Sequence, residues 1–276
     1  MWIVLTLVCA LTQALWMAMS KGRLQSIPSL RFMLFQRFPI ALLMLPLFCV
    51  CGVAEVGAKF WVVSIAAAAT ECARLVLFAR GARRDYYATY SLLNMSPLFI
   101  LILAPFVLGD RVTPLVLGGA ACVVTGGFIF YHSGRFQLPG LLAAICSGLL
   151  TVLAKLALTL SGPITFMIVL YATSTFALLV VESVRLGPVA VGRAYRDVAG
   201  MTLPISAVNL ISIITFVYAL DLATATQYGV LFRTNLVFGF ILSVLLLREY
   251  KSWPWKLAGA ACIVVGSVLI VLSKTS

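Results

Sequence analysis

The chain has 276 residues, of which 63% are hydrophobic and 10% are charged, and its net charge is +12. A soluble domain is typically about half apolar and about a quarter charged, so this composition excludes an ordinary soluble protein. The basic residues are spread over short connections between apolar runs, so we interpret the charge as a record of membrane topology and exclude nucleic-acid binding.

Continuous apolar runs predict ten membrane-spanning helices. One crossing needs about 20 apolar residues. Runs such as LFILILAPFVL favour helices, because the strands of a membrane barrel would alternate polar and apolar residues. No basic residue precedes the first span, which is therefore predicted to be an anchor and not a cleavable signal. The predicted spans cover residues 2–20, 32–52, 59–79, 86–108, 112–132, 138–158, 163–182, 200–220, 225–247 and 253–272.

Basic residues are concentrated on one side of the predicted membrane protein. The connections after odd-numbered spans, with one residue a turn into the last span, hold about 13 lysines and arginines, and the opposite side holds about 4. By the positive-inside rule, the basic side is cytoplasmic and both termini lie outside. The sequence thus predicts an integral, multi-pass protein of the plasma (inner) membrane with extracytoplasmic termini.

The first two spans contain polar residues that suit a binding site. Gln13 and Trp16 lie three residues apart in the first span, where Trp16 either stacks on a substrate or packs against its neighbours. Arg37 is the sixth residue of the second span. In the predicted topology its side chain can reach the cytoplasmic interface, so a structural role competes with substrate contact.

An acid and a base share one face of the third span. Glu71 and Arg74 are three residues apart, which places them on neighbouring positions of a helix. An ionised group at the centre of a bilayer costs at least about 2.5–3.5 kcal/mol, so it normally faces the bundle interior or water. Two hypotheses follow: the pair neutralises itself and locks the third span to a neighbour, or Glu71 faces a cavity and carries a coupling proton.

The second half of the chain repeats the first. PLVLGGAACVVTG at 114–126 recurs as PWKLAGAACIVVG at 254–266, and the segments before them also correspond. Five spans are an odd number, so the second copy must enter from the opposite side. The sequence therefore predicts an all-α membrane protein made of two inverted five-helix repeats, 1–137 and 138–276, which form one integral membrane domain around a central cavity.

Further polar residues occupy repeat-related spans. Arg233 lies near the middle of the ninth span and falls opposite Asn94 of the fourth span in the repeat register. Tyr90 and Asn94 share a helix face, Asn235 lies beside Arg233, and Asn209 lies in the eighth span. Arg233 is interpreted either as a partner of Glu71 or as a contact for the substrate.

At this point the sequence resembles the drug/metabolite transporter superfamily, in its ten-helix EamA-type branch. SPLFILILAPFVLGDRVTPLVLGGAACVVTGG is similar to the fourth and fifth helices of that family, and FVYALDLATATQYGVLF is similar to its join between helices eight and nine. QRFPIALLMLPL resembles its second helix, where Arg37 matches an arginine commonly found there. The resemblance covers nearly the whole chain. Glu71 and Arg74 are not part of it, and FRTNLVF stands where the ninth helix often has a proline.

The resemblance implies ten helices, a central cavity and secondary transport or exchange, while the substrates of the family range from amino acids and sugars to cations. Gln13 stands about where small multidrug-resistance relatives carry an essential glutamate. Glutamine does not exchange a proton, so a cation-for-proton mechanism is not expected.

The leading hypothesis is a secondary transporter of a small polar metabolite, an anionic one if the arginines contact it. The alternative is a flippase for a lipid-linked phosphate or sugar headgroup. The spans show no nucleophile with a base and no second acid beside Glu71, so no enzyme is predicted. All seven cysteines fall inside predicted spans, so no metal site and no cofactor are expected. The expected partners are a small-molecule substrate and the bilayer, and because one chain holds both halves, it is predicted to be a monomer.

Overall fold

A computed structural model of the protein describes residues 1–21, 27–51, 56–84, 86–130, 137–247 and 253–273. These residues form helices and no strands. Six of the described helices are long and apolar enough to cross a bilayer, and two shorter apolar helices accompany them. The prediction of an all-α membrane protein is confirmed at this level.

The helices follow one another with short connections. They are α1 (Trp2–Lys21), α2 (Ser29–Cys51), α3 (Ala58–Arg84), α4 (Tyr86–Leu93), α5 (Ser96–Leu108), α6 (Pro114–Phe130), α7 (Leu138–Ser161), α8 (Pro163–Leu186), α9 (Pro188–Leu222), α10 (Ala225–Leu231), α11 (Asn235–Leu247) and α12 (Trp253–Leu272). The fourth predicted span comprises α4 and α5, and the ninth comprises α10, a 3-10 turn at Phe232–Thr234, and α11.

One predicted connection is instead helical. The stretch 188–199 contains glycine, proline and charged residues and was expected to link spans seven and eight, but α9 begins at Pro188. The break lies at Gly187, whose φ of 82° is a left-handed conformation that glycine adopts readily. Proline is favourable at the first position of a helix because its missing N–H has no partner there in any case. The connection is therefore a single glycine, and α9 extends beyond the apolar run.

Local chemistry fixes the junction between α5 and α10. Gly109 ends α5 with a φ of 70°. The Thr224 hydroxyl accepts a hydrogen bond from the backbone N–H of Gln227, and the Gln227 side-chain oxygen accepts one from the backbone N–H of Thr224. The helix α10 therefore begins with a capping box. Asp110 Oδ2 accepts bonds from the amide and hydroxyl of Thr226 at 3.4 and 3.3 Å, which ties the two helix ends together.

The repeated glycine motifs hold α6 against α12. A Cβ at Gly119 would lie 2.7 Å from the carbonyl oxygen of Gly266, and a Cβ at Gly126 would lie 2.7 Å from that of Gly259. Gly119 thus meets Gly266, and Gly126 meets Gly259, so the two helices cross antiparallel. Small residues let membrane helices approach this closely. Because lipid is as apolar as the side chains, the association of two such helices depends on close van der Waals packing.

We expect Gly119→Ala to destabilise the protein, because the added methyl group would overlap the backbone of α12. Overpacking of this kind costs about 1–3 kcal/mol, and it should lower the midpoint of thermal unfolding in detergent. Gly118→Ala is the matched control, since a Cβ there meets only a Leu269 methyl carbon at 4.0 Å. Equal unfolding midpoints for the two variants would contradict the role of the motif.

Candidate functional site

A pocket of about 100 Å³ lies in the interior of the helix bundle. Side chains from α1, α2, α3, α4, α7, α8, α9 and the α10–α11 region line it, whereas none of its described lining residues comes from α6 or α12. We call it the interior pocket. Its polar and charged lining residues are Gln13, Gln36, Arg37, Glu71, Arg74, Ser147, Thr151, Asn209, Ser212, Arg233 and Asn235.

The pocket brings together most of the residues that the sequence analysis selected. Those that line it are Gln13, Trp16, Arg37, Glu71, Arg74, Tyr90, Asn209, Arg233 and Asn235. Asn94 is the exception. It is buried but is not among the lining residues, and its side-chain NH₂ donates to the Tyr90 carbonyl at 2.8 Å. The reason is that Asn94 lies at the break between α4 and α5, where the chain turns and the helical register with Tyr90 ends.

Glu71 is the centre of a buried ion cluster. Arg74 Nε donates to Glu71 Oε2 at 2.6 Å, and the second nitrogen of its fork donates to Oε1 at 2.8 Å. Arg37, from α2, donates to the same Oε1. The pairing with Arg74 agrees with the three-residue spacing. Both carboxylate oxygens are therefore engaged by arginines from two helices, and the carboxylate is 2% exposed.

Arg37 does not reach the interface as the sequence analysis allowed. It is 3% exposed, donates to Ser174 Oγ at 2.8 Å, and places its guanidinium 4.7 Å from the centre of the Tyr171 ring. Glu71 provides the nearby charge that makes this burial less costly, because an opposite charge offsets part of the desolvation cost. Arg37 thereby links α2, α3 and α8.

Arg233 has a different environment from the other two arginines. It lies in the 3-10 turn between α10 and α11, is 4% exposed, and donates a hydrogen bond to the Ser96 hydroxyl of α5. No acceptor among the described residues reaches its Nε. The hypothesis that it pairs with Glu71 is wrong, because Arg37 and Arg74 hold that carboxylate. Arg233 thus lines the pocket with no acidic partner among the described residues.

Aromatic rings cover the side of the pocket next to Arg233. Tyr228 and Phe232 stack with ring centres 5.5 Å apart, and Phe216 of α9 lies 5.4 Å from Tyr228. The Tyr228 hydroxyl is 3.5 Å from Cys9 Sγ of α1. The arrangement gives the pocket an apolar wall beside a cationic group.

Two predicted residues of α1 are engaged by neighbouring helices. Gln13 Oε1 accepts from Ser212 Oγ at 3.2 Å. Trp16 Nε1 donates to Gln36 Oε1 at 2.7 Å, and its ring lies 6.3 Å from that of Phe78. Trp16 therefore packs between α2 and α3 while one part of it lines the pocket.

The charge of the pocket is unbalanced. Arg37, Arg74 and Arg233 face it together with Glu71, and no other Asp or Glu is among the described lining residues. Glu71 neutralises one positive charge, so an excess of two remains; Arg37 and Arg233 are buried, and the Arg74 side chain is 19% exposed. A cation held there without a counter-charge is costly, and an anionic ligand would reduce that cost.

Some residues that shape the site were not selected from the sequence. Ser96 and Ser174 each accept a hydrogen bond from an arginine, and Gln36 anchors Trp16. Small polar residues often bond to the carbonyls of their own helix, so nothing local distinguishes these. Glu182 did have a signal, since it is an acid at the end of a predicted span; it pairs with Arg31 at 3.0 Å outside the pocket.

Comparison with known proteins places the chain among transporters. The model of the EamA-like transporter family matches residues 137–272. A solved crystal structure of a protein superposes with a TM-score of 0.73 over 98% of this chain and 98% of that chain, at 17% sequence identity, which shows a shared fold. Comparison with curated proteins gives no match.

Proposed function

Because the chain belongs to the EamA-like transporter family, we propose that it is a secondary transporter that moves a small polar, anionic metabolite by alternating access. The family is part of the drug/metabolite transporter superfamily, which makes the chain an integral, multi-pass membrane protein that transports small molecules. The proposal adds the chemical class of the substrate, the site and the mechanism.

Arg233 carries the proposal. Its guanidinium lines the interior pocket with only the Ser96 hydroxyl as a hydrogen-bond acceptor among the described residues. The planar fork of arginine suits the paired oxygens of a carboxylate or phosphate. Tyr228 and Phe232 supply an apolar surface for the remainder of the ligand, and Asn235 and Gln13 supply amides along the pocket wall.

Two features support an inverted repeat with a cavity between its halves, 1–137 and 138–276. The antiparallel glycine contacts of α6 and α12 relate the two copies of the motif to each other. The fourth and ninth predicted spans are each interrupted, at 94–95 and at Phe232–Thr234, which are corresponding positions in the repeat. Interrupted helices near the midplane are a recurring way in which transporters build substrate sites. One chain holds both halves, so we propose that it functions as a monomer.

The experiment that tests the proposal is a ligand screen followed by flux. The purified protein is mixed with carboxylates, phosphates, and neutral and cationic analogues of similar size, and thermal unfolding is recorded. A ligand present at about 100 times its Kd stabilises the folded state by about 2.7 kcal/mol. The best ligand is then tested for uptake into proteoliposomes. Stabilisation by cations alone, with no effect of any anion, would refute an anionic substrate.

A second candidate function is movement of a lipid-linked phosphate or sugar headgroup between leaflets. The observation that favours it is the same excess of arginines, since a lipid phosphate offers the same oxygens as a soluble one. The two functions separate in one assay, in which proteoliposomes contain either a soluble phosphate or a fluorescent lipid-linked phosphate whose leaflet is measured by dithionite quenching. Redistribution of the lipid without uptake of the soluble anion would select the flippase.

We also expect both termini to be extracytoplasmic, since most of the basic residues in the connections, about 13 against about 4, lie on the opposite side. A cysteine appended after residue 276 should react with a membrane-impermeant thiol reagent in intact cells. A variant with a cysteine in place of Arg84, at the end of α3, is the control and should react only after lysis. The reverse pattern would invert the topology.

A further inference from the structure

A second cavity lies at one end of the bundle, well away from Arg233. It has a volume of about 890 Å³ and is bounded by the beginning of α2 and the ends of α3 and α8. Four arginines line it, namely Arg31, Arg80, Arg83 and Arg185, and the only acid among its described lining residues is Glu182. We call it the basic groove.

Two of these arginines are held by the protein and two are available. Arg31 Nε donates to Glu182 Oε1 at 3.0 Å, which joins α2 to α8. Arg83 donates to the Ile27 carbonyl at 3.2 Å. Arg80 and Arg185 are exposed, and neither has a described hydrogen-bond or ion-pair partner. With Glu182 counted, the described lining residues of the groove have an excess of three positive charges, so they favour binding of an anion.

The walls of the groove are apolar. All four arginines lie at the same end of the bundle, because α2 begins on the side where α3 and α8 end. Val76, Leu178 and Val181 lie about one to two turns deeper in α3 and α8 than Arg80 and Arg185, and Val181 is 48% exposed. A small soluble anion would contact only the arginines, whereas an anionic amphiphile would contact the arginines with its headgroup and the aliphatic side chains with its apolar part. The aliphatic lining residues are Leu30, Val76, Leu178, Val181 and Leu186.

The basic groove is separate from the interior pocket. The two cavities share none of their described lining residues, and α3 divides them: Cys72 and Val76 line the groove, whereas Glu71 and Arg74 line the pocket. In the proposed topology the groove opens at the cytoplasmic leaflet, where anionic lipids are attracted to basic residues. We propose that the basic groove binds the headgroup phosphate of an anionic phospholipid of the bilayer, with its acyl chains along the aliphatic walls.

The proposal is tested by lipid binding to the full chain. The protein is purified in a neutral detergent, and native mass spectrometry measures binding of a phosphatidylglycerol, of a phosphatidylcholine with the same acyl chains, and of glycerol phosphate. We expect phosphatidylglycerol to bind best. In the double variant Arg80→Gln/Arg185→Gln its apparent affinity should fall by about ten- to thirtyfold, since two basic contacts are removed.

The matched control is Arg193→Gln/Arg196→Gln. It removes the same charge from exposed residues of α9 that do not line the groove, and it should leave phosphatidylglycerol binding unchanged. The single variant Arg185→Gln repeats the comparison if the first double variant is not recovered folded. The proposal would be overturned if both double variants lost affinity equally or if neither lost any. It would also be overturned if glycerol phosphate bound as tightly as phosphatidylglycerol, a result that would instead assign a soluble anion.

Discussion

Arg233→Gln is expected to lower the affinity for an anionic substrate by about a hundredfold or more. Each hydrogen bond from a charged donor contributes about 1.5–3 kcal/mol, and a planar guanidinium can make two of them to one carboxylate or phosphate. Binding is measured by the ligand-induced shift in thermal unfolding and by uptake into proteoliposomes. Binding that survives intact would remove Arg233 from the site.

The same substitution should not destabilise the unliganded protein. Arg233 has no acidic partner among the described residues, and its Nε is buried without an acceptor there. Removing a buried charge without a counter-charge relieves a desolvation cost, so the unfolding midpoint should stay constant or rise. Ser96→Ala is the positional control, because it removes the hydroxyl that Arg233 contacts and keeps the charge. It should reduce affinity far less than Arg233→Gln.

Glu71→Gln is expected to have the opposite profile, with a large loss of stability. The carboxylate receives bonds from Arg74 at 2.6 and 2.8 Å and a further bond from Arg37. Breaking a buried ion pair by removing one partner typically costs 3–5 kcal/mol, because the remaining charge is left uncompensated. Here two guanidinium groups would lose their counter-charge. The free energy of unfolding, measured in detergent with increasing denaturant, should fall by at least about 3 kcal/mol.

The comparison with Glu182→Gln isolates the cause. Glu182 is as buried as Glu71, but its partner Arg31 has a side chain that is 25% exposed and can be hydrated when the carboxylate is lost. The expected loss is about 1 kcal/mol or less. The double variant Glu71→Gln/Arg74→Gln should recover part of the stability lost in Glu71→Gln. If Glu71→Gln changes neither stability nor the pH dependence of transport, both the structural pair and the proton-carrying hypothesis fail.

The helices and one ion pair could be predicted from the sequence because they depend on local properties. Crossing a bilayer requires a continuous apolar run of a set length, and hydropathy measures that requirement directly. Glu71 and Arg74 meet because three residues along one helix bring side chains to the same face. The sequence did not predict the helix over 188–199. Polar and charged residues indicate where the chain leaves the membrane core, but they do not indicate whether the backbone remains helical there.

The contacts between helices were decided only by the tertiary structure. Arg37 pairs with Glu71 and Arg233 contacts Ser96, and no local pattern distinguishes these pairings from the pairing of Arg233 with Glu71 that the sequence left open. A membrane helix that is apolar on nearly every side does not reveal which side faces its neighbours, since the usual polar face is missing. Its rotation is fixed by close packing, as where Gly119 meets Gly266. The sequence by itself therefore determined the membrane helices, the repeated glycine motif and the excess of arginines within the spans. Packing decided which of those arginines is neutralised and which lines the pocket without an acidic partner among the described residues.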